Sequence, residues 1–485
     1  MPKPVTLDGH SLALADVVAV ARGNAPVAIA PRALDAVKQS RRAVEAAIER
    51  GQTMYGVNTG FGKLAHVRIP PEQARQLQLN LIRSHASGVG DPLPADAVRA
   101  MMLLRANVLL RGTSGVRPVL PELLVDMLNS RVHPTVPSQG SVGASGDLAP
   151  LSHLALAMIG EGDVQVARPI VLEAKEGLAF VNGTQAQTGL AALLVTDAWT
   201  AWRTAHAAAA MSLEAVRGSP DPFDARIHDA RPHPQQQRSA ALLRELLADS
   251  EIRESHRDND PRVQDAYSLR CSPQVLGAAG EGLAFAEQIV TTELNAATDN
   301  PLVFGDDVIS GGNFHGQPIA LALDVVAIAL TTIAGLAERR IERVVNPDLS
   351  SGLPAFLAHD PGLESGFMTA QIAAAALVAD CRVLATPASV QSVPTEGNQE
   401  DVVPMGMSAA WKAGRILANT ERILAIELLA GAQGLEYLKP LRPARAVGRV
   451  HAAVRKDSAA LTADRPMTAD IERVAVGIRE GRFVP

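Results

Sequence analysis

Residues 187–217, 319–345 and 405–438 each run long without an interior proline, and they limit the fold more than any other feature. At a rise of ~1.5 Å per residue, such segments form helices of about 40 Å or more. They are apolar on most faces, as helices surrounded by other helices are. Hydrophobic residues make up 47 % of the chain but aromatics only 3 %, so Ala, Leu, Val and Ile must build the core. Small side chains let helix axes approach closely, and Ala and Leu favour the helical backbone. Residues 32–50 add an amphipathic helix with Leu34, Val37, Val44 and Ile48 near one face. Strand-like stretches are few and short, for example 164–172 and 301–312. The pattern predicts a mostly α protein with a central bundle of long helices.

Composition excludes several function classes. The net charge is -6 and no basic block occurs, which argues against a nucleic-acid surface. The most apolar stretch, 319–337, carries Asp324 near its middle and runs on into charged residues, so it reads as a buried core helix and not a membrane span. Cys271 and Cys381 form no paired spacing and no metal motif, which suits a reducing compartment. The first residues show no basic start followed by an apolar core, and a cytoplasmic protein is expected. His228 and His233 hint at a metal hydrolase, but no metal-binding spacing supports it, and no metal is expected.

Unusual residues gather in polar, glycine-rich connections at 55–62, 138–147, 181–185, 256–272, 310–317 and 394–406. The stretch "GSVGASGDLAPLSH", residues 140–153, is the most distinctive. Its glycines fit neither a dinucleotide fingerprint nor a P-loop, and its serines fit no nucleophile elbow. The plain reading is a turn in which Asp147 caps the following helix. Ala144-Ser145-Gly146 has a second property. In a sharply bent turn the uncovered Gly146 amide nitrogen can attack the Ala144 carbonyl, two residues back, and close a five-membered ring. Loss of water from that ring and from Ser145 leaves an exocyclic methylidene, an electrophile made from the chain itself. Glycine supplies the backbone freedom, and a helix N-terminus stabilises electron density pushed onto the ring.

With this stretch, "YGVNTGFG" (55–62), "SHASGVG" (84–90), "VNGTQ" (181–185), "VQDAYSLRCSPQV" (263–275), "SGGNFHG" (310–316) and "NQED" (398–401), the chain resembles the aromatic amino acid ammonia-lyases along nearly its whole length. The resemblance implies the long-helix architecture shared with fumarase-like lyases, whose own serine-loop signature is absent. It implies an N-terminal part, 1–185, that carries the turn, and a long-helix part, 186–485, in one continuous structural unit. It also implies a 4-methylideneimidazol-5-one (MIO) group formed from Ala144, Ser145 and Gly146, with no external cofactor, and assembly as a homotetramer whose sites draw on more than one subunit.

By the same resemblance Tyr55 matches the base that takes the substrate's β-proton, and Tyr267 is the second active-site tyrosine. A phenol with a pKa of ~10 needs nearby positive potential to act as a base. Arg270 is the natural clamp for the substrate carboxylate, since its planar fork matches it bidentately. Asn182 and Gln264 fall near the MIO oxygen and the substrate, and Phe314 lines the pocket. His85 and Glu400 face the substrate ring. An acidic Glu400 is useful only to a ring that donates N–H or carries positive charge, which favours L-histidine, converted to trans-urocanate and ammonia. A tyrosine or phenylalanine ammonia-lyase or aminomutase is the alternative. Two departures stand out: "VVPM" (402–405) replaces the usual "HVSM", and the connection from Gly162 to Asn182 is short.

Overall fold

The computed structural model describes residues 3–258 and 260–484. Its helices include α1 (Pro31–Glu49), α2 (Ala74–His85), α3 (Ala95–Leu110), α4 (Val119–Asn129), α5 (Leu148–Met158), α6 (Gln185–Ala215), α7 (Ser272–Glu293), α8 (Gln317–Val345), α9 (Met368–Leu384) and α10 (Gly406–Glu436). The three proline-free segments become α6, α8 and α10. Among the described residues, strands are confined to three two-stranded sheets. Val5–Leu7 pairs in parallel with Val27–Ile29, Val89–Pro92 in antiparallel with Pro137–Gln139, and Leu302–Phe304 in antiparallel with Asp307–Ile309. The 164–172 stretch forms no strand. It crosses the end of α5, where the Ile170 N–H donates to the Met158 carbonyl, and leaves Val171 exposed.

Two compact units emerge, and each is discontinuous in sequence. The first comprises 1–194, 286–324 and 387–411, and the second 195–285, 325–386 and 412–485. Helices α6, α7, α8 and α10 each contribute residues to both units. The first turns of α6, α8 and α10 all fall in the first unit.

Helix α3 forms the centre of the first unit, with every residue from Ala97 to Leu110 buried. Its buried polar side chains satisfy carbonyls that helix ends leave unpaired. Arg99 donates to the carbonyls of Val20 and Leu128, and Arg105 to those of Ala179 and Asn182. In the second unit, Ala207 to Ala210 of α6 are buried, and a β-carbon on Gly434 of α10 would stand 2.8 Å from the Ala215 β-carbon. Such small residues set the close approach of these helices. Arg340 of α8 forms a fully buried ion pair with Glu427 of α10 at 2.5 Å, and the Ser212 hydroxyl of α6 donates to the same carboxylate. Helix α8 is long and apolar enough to cross a membrane, yet its Asp324 is buried and accepts the N–H groups of Ala388 and Ser389.

Candidate active site

The Ala144-Ser145-Gly146 turn is held from several sides by the first unit. Gly146 has φ 76°, and a β-carbon there would stand 2.2 Å from the Gly183 carbonyl oxygen. Only glycine fits. The same Gly183 oxygen accepts the Asp147 N–H at 2.7 Å, so the 182–185 turn is seated directly on the Ala-Ser-Gly turn. Asn182 Nδ2 donates to the Ser145 carbonyl at 2.9 Å, and the Ser145 hydroxyl donates to Glu400 Oε1 at 2.7 Å. Arg105 braces the arrangement from behind, with its guanidinium on the Asn182 carbonyl and on Gln185 Oε1.

Four helices begin around this turn. Helix α5 follows Asp147 directly, and α6 begins two residues after Gly183. The Gly143 carbonyl accepts from Gly316, just before α8, and the Val142 carbonyl from Met405, just before α10. Helix N-termini carry partial positive charge and favour developing negative charge nearby. Asp147 departs from the expected role. It makes no cap to its own helix. Its carboxylate instead accepts the Gln187 backbone N–H at 2.8 Å and the Ser141 hydroxyl at 3.1 Å, so it caps α6. Burial pushes its pKa up to about 6 despite those bonds.

A cavity of about 460 Å³ opens over the turn and is lined by Tyr55, Ala144, Ser145, Asn182, Phe314 and Glu400 among others. A smaller hollow shares Ala144, Ser145 and Glu400 and adds His85 and Gly146. Eight of the eleven residues singled out in the sequence thus surround one place. Asn182 is buried, and its Oδ1 has no protein partner. A buried acceptor of that kind suits a ligand donor. His85 Nδ1 faces the Leu81 carbonyl at 2.9 Å and therefore carries the proton, which leaves a lone pair on Nε2. Burial lowers the His85 pKa, which favours the neutral ring. The Tyr55 hydroxyl accepts the Gly62 N–H at 2.9 Å. Burial, together with the negative charges of Glu396 and Glu400, raises its pKa, the reverse of the positive potential that a tyrosinate base requires.

Gln264, Tyr267 and Arg270 belong to the second unit, and none lines the cavity. Tyr267 opens a short helix, Tyr267–Arg270, and is 76 % exposed. Arg262 pairs with Asp265 at 3.3 Å, and Asp265 accepts the Ser219 N–H, which anchors the segment that presents them. Among the described residues no group of His, Cys, Asp and Glu could hold a metal ion. His228 is buried against the Pro222 carbonyl and Gln236, a packing role. Sequence reading missed Glu396, His315 and Asp401 in the cavity wall and Arg105 behind it. His315 and Asp401 lie inside the quoted motifs 310–316 and 398–401, whereas neither Glu396 nor Arg105, an Arg within an apolar helix, falls in one.

Residues 12–456 match the family described as aromatic amino acid lyase. A histidine ammonia-lyase of Koribacter versatilis (strain Ellin345) is 50 % identical over 99 % of both chains. Among solved structures, a tyrosine aminomutase from Streptomyces globisporus superposes with TM-score 0.94 at 42 % identity, covering 99 % of this chain and 98 % of that one. A histidine ammonia-lyase from Trypanosoma cruzi superposes with TM-score 0.91 at 43 % identity, covering 99 % and 94 %. The fold and the turn-centred cavity are those of a lyase of long helices. The chain belongs to the aromatic amino acid lyases.

Proposed function

We propose that the protein is a histidine ammonia-lyase, which removes ammonia from L-histidine and leaves trans-urocanate. One observation carries the choice of substrate: the Glu400 carboxylate lies in the same cavity as Tyr55 and touches Ser145 itself. An imidazole N–H gives that carboxylate a charge-assisted partner worth roughly 1.5–3 kcal/mol, whereas a phenyl ring leaves it unpaired.

The residues present fit an MIO group formed from Ala144, Ser145 and Gly146. Gly146 occupies a space that excludes a β-carbon, Ser145 brings the hydroxyl to be lost, and Asn182 already donates to the Ser145 carbonyl. When formed, the group supplies an electrophilic methylidene for the substrate amine. Glu400 Oε1 loses its Ser145 partner when that hydroxyl leaves, and is then free to accept a substrate N–H. Tyr55 is the candidate acceptor of the β-proton. Arg270 would hold the substrate carboxylate from a second copy of the chain, which would also bring Gln264 near the substrate and Tyr267 as the second active-site tyrosine. Exposure of Gln264 and Tyr267 on the second unit supports that reading, which requires assembly, as a homotetramer. The free cysteines Cys271 and Cys381 suit a reducing cytoplasm.

The test is to follow urocanate by ultraviolet absorbance during incubation with L-histidine, and to weigh the intact protein. Active protein is expected to weigh about two water molecules less than its translation, and Ser145→Ala to match its own translation and to be inactive. Active wild-type protein of full translated mass would remove the MIO assignment.

A further inference from the structure

Tyr55 faces two carboxylates and not one. Glu396 lines the same cavity as Glu400 and Tyr55, and its carboxylate lies against the backbone of Gly62, where a β-carbon would stand 1.7 Å from Oε1. Gly62 is the residue whose N–H holds the Tyr55 hydroxyl. Glu396 reaches this place through a left-handed backbone, with φ 51° at Glu396, 61° at Gly397 and 66° at Asn398. A non-glycine residue held at positive φ beside a site marks a constraint that the surrounding structure maintains. Asn182 lines the same cavity, and its Oδ1 is buried without a protein partner.

Resting on the histidine reading above, we propose that Glu396 is a specificity-determining residue. With Glu400 it keeps the Tyr55 phenol from serving as a base until a ring that donates N–H or carries positive charge fills the cavity. Like charges near a phenol disfavour its ionised form, and a cation or strong donor placed among them removes that penalty. Burial and the same two carboxylates raise the Tyr55 pKa, and burial and Glu400 raise that of Glu396. The other titratable groups around them are Asp401 and His315 in the cavity wall, His85 beside Glu400, and Lys63, whose stem lies near Gly397. Imidazole at the carboxylate pair would therefore switch the base on. Phenylalanine would bind beside a phenol still protonated. Discrimination then appears in kcat as well as in KM.

Glu396 is exposed, so its replacement should leave the fold intact, which circular dichroism checks. Glu396→Gln, Glu396→Asp and wild type should be compared for kcat and KM on L-histidine and L-phenylalanine across pH. In Glu396→Gln the alkaline-going limb of kcat/KM should move to lower pH, because the free enzyme's base ionises more easily. The histidine-to-phenylalanine ratio should fall about tenfold, or about 1.4 kcal/mol, mainly through a gain in kcat on phenylalanine. Glu396→Asp, which keeps the charge, should stay close to wild type. An unchanged limb and an unchanged ratio in Glu396→Gln would overturn the inference. Wild type inert toward L-histidine would instead overturn the reading on which it rests.

Discussion

Tyr55 meets the cavity with its hydroxyl held by the Gly62 N–H and its ring edge-on to Phe61, at 6.5 Å between centroids. Nothing in that setting makes it essential for folding, since one neutral hydrogen bond contributes about 1 kcal/mol. Tyr55→Phe should therefore keep the mass deficit while kcat falls by about 10²–10⁴, the usual contribution of a positioned proton acceptor. Steady-state kinetics with intact-mass control measures both, and near-wild-type turnover would move the base elsewhere. At this scale the sequence was legible where chemistry is concentrated in one motif. Glu400 stands out in "NQED", and Ser145 in its glycine turn. Glu396 does not, because a run of three left-handed residues brings it to Tyr55, and only the folded loop reveals that. Asp147 illustrates a different loss. Its position predicts a cap on α5, but the packing of α6 against the turn gives its carboxylate a better donor in the Gln187 N–H.

The long helices were readable almost to the residue. Segments expected at 187–217, 319–345 and 405–438 appear as Gln185–Ala215, Gln317–Val345 and Gly406–Glu436. Apolar length without proline leaves little else for such chains to form. The pairings Val5–Leu7 with Val27–Ile29 and Val89–Pro92 with Pro137–Gln139 were not, since strands this short hold too few residues to show a two-residue period. The Arg340–Glu427 pair was also invisible, because its partners lie far apart in sequence and meet only when α8 packs on α10. Breaking a fully buried pair leaves one charge without a partner, and Arg340→Met should destabilise the protein by about 3–5 kcal/mol. Replacing both residues, Arg340→Met with Glu427→Leu, should recover most of that loss. Chemical denaturation of the single and double variants tests it; a double variant no more stable than Arg340→Met would show that the pair acts through something other than its uncompensated charge.

For the whole molecule, function follows from where the long helices begin. Helices α6, α8 and α10 start in the first unit, around the Ala-Ser-Gly turn, and continue into the second, which carries Gln264, Tyr267 and Arg270. A linear reading of the chain could place the turn and the tyrosine loops, but it could not show that each compact unit is assembled from three separated stretches. The proposed selection of histidine rests on Glu400 in the cavity of the first unit. The most direct measurement is kcat/KM for L-histidine, L-tyrosine and L-phenylalanine with wild type and Glu400→Gln. Wild type should prefer L-histidine, and Glu400→Gln should lose about tenfold or more of kcat/KM on it, the equivalent of one charge-assisted bond. A wild type that favours L-tyrosine, or a Glu400→Gln variant with unchanged histidine turnover, would contradict selection by Glu400.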